Sequence, residues 1–219
     1  MGYGIKLKVW GQYALFSRPE LKVERVSYDV MTPSAARGIL EAIHWKPAIV
    51  WIIDKIHVIN EIKFENIRRN EVKSKIPIGN VTKAMKGDNS VFYLDVEEDR
   101  QQRASMVLKD VCYIIDAHFE LTEKAGVDDT EEKHYNITTR RMKQGQCFNT
   151  PYFGCREFGV NFELIEDEEL LPNSYYKEQN IDLGFVLYDI DFQNNKNPMF
   201  FRAKMEKGII DCGKIEVKR

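Results

Sequence analysis

Ile5, Leu7 and Val9 alternate with Lys6, Lys8 and Trp10, the period of two that sets one face of a strand against a core. The period then changes. In MTPSAARGILEAIHW (31–45), Ala36, Ile39, Leu40 and Ile43 recur at helical spacing, Thr32 is placed to cap, and Pro33 suits the first helical position. Pro47 stops that helix. AIVWIID (48–54) is continuously apolar and β-branched, as expected of a central strand covered on both faces. VLKDVCYIIDAHFEL (107–121) restores strict alternation, with Val111, Tyr113, Ile115, Ala117 and Phe119 on one face. A second helix is predicted over about 130–144, with Asp129 accepting at its start and Glu132 reaching back. Arg140, Arg141 and Lys143 suit the negative end of its dipole, and Gly145 terminates it. FGCREFGVNFELI (153–165) reads as a fourth strand.

Strand, helix, strand, strand, helix, strand over residues 4–166 predicts an α+β chain: a ferredoxin-like (RRM-like) βαββαβ domain within 1–168. An insertion at about 61–105 separates its second and third strands. Beyond the acidic link EDEELLPNS (166–174) come IDLGFVLYDIDF, PMFFRAKME and IIDCGKIEV. Asn194, Asn195, Asn197 and Pro198 divide the first two, and Lys207-Gly208 the last two. A small C-terminal antiparallel three-stranded sheet is therefore expected over 169–219.

Composition narrows the class. With 43% apolar and 30% charged residues the chain is neither disordered nor fibrous. It has no run of about eighteen apolar residues and no signal-peptide core, so a cytoplasmic protein with no membrane partner is expected. Cys112, Cys147, Cys155 and Cys212 form no CxxC pair, so neither a disulfide framework nor a zinc cage is signalled, and no metal or cofactor is expected. The net charge of −2 conceals an asymmetry: residues 1–80 carry 13 Lys/Arg against 8 Asp/Glu, and the remainder 19 against 26. The segment 63–86 alone has seven basic and two acidic side chains, an attraction for polyanions or simply a solvated loop.

Four histidines are present. His57 and His118 fall inside alternating strand patterns and read as structural or surface residues. His44 ends the first helix, and His134 lies in the first turn of the second beside Lys133. Both helices of a βαββαβ fold lie on one face of the sheet, so these ends can approach. A cluster of His44, Lys133 and His134 suits acid–base cleavage of RNA: an imidazole takes the 2′-hydroxyl proton, another group protonates the leaving oxygen, and the lysine stabilises the phosphate. The alternative is a helix-ending histidine plus a solvated Lys-His pair. There is no GxxxxGK[ST], GxSxG or HExxH. The acidic runs DVEED and EDEE read as solvated surface, and a two-metal nuclease needs carboxylates from several elements.

WGQYALFSRPE (10–20), SYDVMTPSAARGILEAIHWKPAIVW (27–51) and EEKHYNITTRRMKQGQCFNTPYFGCREFGVNFE (131–163) together resemble the CRISPR-associated Cas-five family, specifically its subtype I-C, or Dvulg, form. The resemblance covers most of residues 1–165. It implies a ferredoxin-like domain, a small C-terminal sheet, and an endoribonuclease that cuts precursor CRISPR RNA at each repeat without metal. It also implies retention of the 5′ handle inside an interference complex with other subunits. Lys133 and His134 match the family's lysine-histidine pair; position 44, often tyrosine in the family, is His44 here. The expected products are a 2′,3′-cyclic phosphate and a 5′-hydroxyl, with His44 and His134 interchangeable as base and acid. The repeat hairpin would be held through Arg68, Arg69, Lys73, Lys75, Arg140, Arg141 and Lys143. The rival reading is a non-catalytic cap subunit that binds RNA, or duplex DNA, on the same surface.

Overall fold

The computed structural model describes residues 3–21, 24–87, 93–167, 172–192, 194–213 and 215–218. In chain order the elements are β1 (Gly4–Ala14), β2 (Arg25–Val26), α1 (Pro33–Ile43), β3 (Ile49–Val58), β4 (Lys63–Val72), α2 (Ile78–Met85), β5 (Arg100–Leu121), α3 (Glu131–Lys143), β6 (Asn161–Leu164), β7 (Asn180–Asp191), β8 (Asn197–Glu206) and β9 (Ile209–Asp211). This is a mixed α+β chain in which β1 pairs with β5 and β6, β3 with β5 and β9, and β8 with β7 and β9, all antiparallel. It divides into two compact units, one of residues 1–65 with 106–219 and one of 66–105.

In the first unit the strands run β6-β1-β5-β3-β9-β8-β7. Alternation along β1 and β5 sets the register: Leu7 pairs with Ile115 and Val9 with Tyr113, all four buried. Val111, Ala117 and Phe119 are buried as expected. The three C-terminal strands form antiparallel pairs, and β9 joins β3 through Ile56↔Ile210, so they extend the main sheet instead of standing as a sheet of their own. The boundary expected at 168–169 lies outside the described residues.

The fourth strand is shorter than its sequence implies, because only Asn161–Leu164 pairs with β1. Upstream, Gly154 adopts φ +78°, and a Cβ there would collide with the Leu15 carbonyl. The Phe153 N–H donates to the Phe158 carbonyl at 2.8 Å, closing a loop that buries the Phe153 ring against Phe16 and Tyr113. Burial of one aromatic outweighs extension of the strand.

α1 forms as predicted. Thr32 Oγ1 accepts from the Ala35 N–H at 3.2 Å, and Ala36, Ile39, Leu40 and Ile43 are fully buried. Each Ile or Leu so buried contributes roughly 1.5–3 kcal/mol, far more than helix propensity, and their burial fixes where the helix ends. α3 starts one residue later than expected. Thr130, with extended φ and ψ, is the cap that accepts from the Lys133 N–H at 3.2 Å. Asp129 is thereby released to accept from the Gly126 N–H at 3.1 Å. α3 buries the stripe His134, Thr138, Met142.

In the 66–105 unit, β4 and β5 pair, Arg103 faces Glu71, and Asp99 accepts from the backbone and hydroxyl of Ser74 at 2.7 Å each. α2 buries none of its side chains. Among the described residues no helix is long and apolar enough to cross a membrane.

Candidate active site

The C-terminus of α1 is held by donors from outside the helix. His44 is its cap and donates its own N–H to the Leu40 carbonyl at 2.9 Å. The Ala42 carbonyl accepts from Phe148 and Asn149, the Ile43 carbonyl from Arg141 Nη1 at 2.7 Å, and the His44 carbonyl from Trp51 Nε1 at 2.9 Å. The last carbonyls of a helix have no partner within it, so this set of donors fixes the His44 backbone between α3 and β3.

From that anchor the His44 ring meets the first turn of α3. His44 Nε2 lies 3.0 Å from His134 Nδ1, with the ring centroids 5.3 Å apart. The rings are 2% and 1% exposed, so the contact is dry, and Phe119 packs its edge on His134. The two imidazoles expected to approach therefore touch. Lys133, next along α3, is half exposed; its Nζ donates to the Asp128 carbonyl at 3.0 Å and reaches Asp129 Oδ1 at 3.5 Å. The same Oδ1 is 3.3 Å from His134 Nε2, yet misaligned: Nε2 is buried with no hydrogen-bond partner. An unpaired buried nitrogen costs about 1–3 kcal/mol, so it marks where a further group belongs.

The electrostatics bear on His44. Burial, then Arg141, His134 and Lys46, push the His44 pKa from its ordinary 6.5 down to about 4. His44 is thus neutral near physiological pH and a weak base. The Asp129 carboxyl is held below the usual carboxylate range, first by the Gly126 N–H and then by Lys133.

The expected nucleic-acid contacts fall in separate places. Arg68, Lys73 and Lys75 are exposed and Arg69 half-buried in the 66–105 unit. On α3, Arg140 is exposed, Lys143 pairs with Glu166 at 2.6 Å, and Arg141 turns inward to Ile43 and His44. Two site features escaped the sequence reading, the Arg141 clamp and the double contact of Asp129. The four-residue spacing of Asp129 and Lys133 on a helix start was the available signal for the second. His57 and His118 pair with Asp116 at 3.2 Å and Asp54 at 2.9 Å on the sheet. Among the described residues no group of three or more His, Cys, Asp and Glu could hold a metal ion.

The chain is similar to known proteins over most or all of its length. It is 54% identical to the protein of Mannheimia succiniciproducens named CRISPR pre-crRNA endoribonuclease Cas5d, covering 100% of both chains. A Thermus thermophilus protein of the same name is 39% identical over 94% of this chain and 90% of its own. A solved structure described as a CRISPR-associated protein superposes with a TM-score of 0.72 at 25% identity, covering 99% of this chain and 96% of that one. The Cas5d model, a CRISPR-associated protein family (Cas_Cas5), matches residues 4–213. With that match running from β1 through β9, the chain belongs to the Cas5d family of CRISPR-associated proteins.

Proposed function

We propose that the protein is an endoribonuclease that cuts precursor CRISPR RNA within the repeat without a metal ion. It then keeps the 5′ handle inside a type I-C interference complex in the cytoplasm. The observation that carries this reading is full-length 54% identity to a relative named for that activity. The imidazole pair supplies the chemistry. The RNA 2′-oxygen attacks the adjacent phosphorus, the bond to the 5′-oxygen breaks, and a 2′,3′-cyclic phosphate and a 5′-hydroxyl result. His134 Nε2, the partnerless nitrogen, donates a hydrogen bond to the leaving 5′-oxygen, and the proton that this oxygen takes up comes from water. Lys133 neutralises charge growing on the phosphate oxygens. The 2′-hydroxyl proton passes to water, because His44 is too weak a base to hold it. His44 acts through His134, a revision of the expectation that both rings touch the scissile linkage.

The strand order β6-β1-β5-β3, with α1 and α3 each carrying the chain across, supports the ferredoxin-like reading of the first domain. The repeat hairpin would meet Arg68, Arg69, Lys73, Lys75, Arg140 and Lys143 through its phosphates.

One observation favours the rival reading of a non-catalytic cap that binds RNA or duplex DNA: both rings are almost wholly buried. Incubation of the protein with an end-labelled repeat hairpin in EDTA separates the two. A single cut with a cyclic phosphate end supports the nuclease, and intact RNA supports the cap.

A further inference from the structure

Arg141 carries the positive charge that sequence reasoning assigned to RNA, but its guanidinium is spent inside the protein. Nη1 donates to the Ile43 carbonyl at 2.7 Å, and the same nitrogen faces His44 Nδ1 at 3.5 Å. A guanidinium has only donors, so the nitrogen it faces must be the lone-pair side of the ring. That choice propagates. If His44 Nδ1 is bare, Nε2 carries the hydrogen and donates to His134 at 3.0 Å. His134 Nδ1 is then the acceptor, and the His134 hydrogen sits on Nε2, the partnerless nitrogen 3.3 Å from Asp129 Oδ1.

We infer that Arg141 is a positioning residue of the cleavage site: it caps α1 and fixes one hydrogen-bond direction, Arg141 to His44 to His134, that presents an N–H to the RNA. This rests on the reading of the protein as a ribonuclease and adds to it which imidazole nitrogen is the donor and why. The assignment follows from heavy-atom positions and donor inventory. Among the described residues no acidic side chain opposes it at His44. The charged and titratable groups facing that ring are Arg141 and His134 from α3 and Lys46 beyond the end of α1, while β3 contributes only the Trp51 indole N–H, spent on the His44 carbonyl. Asp129 stands on the far side of His134, its Oδ1 3.3 Å from Nε2 without a hydrogen bond.

Two measurements test this. Nitrogen-15 NMR of histidine-labelled wild-type protein reads the tautomers directly. Expected at neutral pH are bare Nδ1 and protonated Nε2 on both His44 and His134; a proton on His44 Nδ1 overturns the inference. Arg141→Met then separates positioning from RNA contact. Its single-turnover cleavage of the repeat hairpin should fall about tenfold or more, with the acid limb of the pH–rate profile moved upward, while Kd for a hairpin 2′-deoxy at the cut changes less than about threefold. Unchanged cleavage, or an unchanged profile with weaker binding and a salt slope smaller by about one, makes Arg141 a phosphate contact and overturns the inference. Should Arg141→Met not fold, Arg141→Gln is read the same way, and the wild-type tautomers decide in any case. If wild-type protein leaves repeat RNA intact, the ribonuclease reading fails while the NMR result still judges the hydrogen-bond direction.

Discussion

Asp129 Oδ1 lies 3.3 Å from His134 Nε2 and also 3.5 Å from Lys133 Nζ, so a single carboxylate oxygen spans the imidazole and the ammonium that face the RNA in the proposed reaction. Its other oxygen is held by the Gly126 N–H, which ties the contact to the loop before α3. The carboxylate orients both groups, yet it stands where phosphate oxygens would come.

Removal of Asp129 therefore has opposite effects on chemistry and on binding. In Asp129→Ala, Lys133 and His134 lose their common anchor, and single-turnover cleavage falls roughly tenfold, in line with other oriented ligands and bases. RNA affinity holds or tightens, because a negative charge has left the phosphate path. Rate and Kd measured on one repeat hairpin check this; a variant that binds more weakly and cuts at the wild-type rate contradicts it.

Lys133 is half exposed and its contacts are polar, to the Asp128 carbonyl and Asp129, so its loss is chiefly a matter of charge. Lys133→Ala should lower cleavage by about 10²–10³-fold, as removal of a transition-state charge partner does, and leave the folding free energy within about 0.5 kcal/mol. His134→Asn keeps a polar group facing His44 but has no N–H at the place of Nε2, and loses about 10²–10³-fold. Urea denaturation of both variants beside the cleavage assay tells lost chemistry from lost fold.

Helix caps test the scaffold apart from the chemistry. Thr32 Oγ1 accepts from the Ala35 N–H at 3.2 Å at the end of α1 opposite His44. Thr32→Ala should cost about 1 kcal/mol of stability, read from a urea midpoint, with cleavage at the wild-type rate where the protein is folded. A loss of cleavage without loss of stability would tie that end of α1 to the reaction.

Patterning disclosed elements whose cause is local. The alternation of Ile5, Leu7 and Val9 and the Thr32-Pro33 start are each decided within a few residues, and both elements form over the expected positions. The meeting of His44 with Lys133 and His134 was legible only as a consequence of topology, since two helix ends on one sheet face can approach. What remained hidden depends on distant partners. The inward turn of Arg141 is set by the Ile43 carbonyl, 98 residues away, and a terminal arginine on a helix otherwise reads as solvated. The late start of the FGCREFGVNFELI strand goes with the Leu15 carbonyl set against Gly154, a contact no period reveals. His134 is buried with Thr138 and Met142 on one stripe of α3 and against Phe119, and the Trp51 indole holds the His44 carbonyl.

His44 also predicts how stability depends on pH. Its folded pKa of about 4 lies below the ordinary 6.5, with burial the main cause and Arg141 the next. A histidine with a depressed pKa binds fewer protons folded than unfolded within that window. The stability from the neutral ring is thus fully present above 6.5, falls as pH drops toward about 4, and changes no further below it. At about 1.4 kcal/mol per unit the loss is on the order of a few kcal/mol, a large share of the 5–15 kcal/mol that holds a typical domain folded. His44→Gln can still offer an N–H toward His134 but does not titrate, so it loses this part of the acid sensitivity. The difference between wild-type and variant unfolding free energies, followed by urea titration across that range, should slope in favour of the variant as pH falls. A difference that stays flat would mean that His44 carries its ordinary pKa in the folded protein, and the buried neutral donor on which the proposed proton path depends would be lost with it.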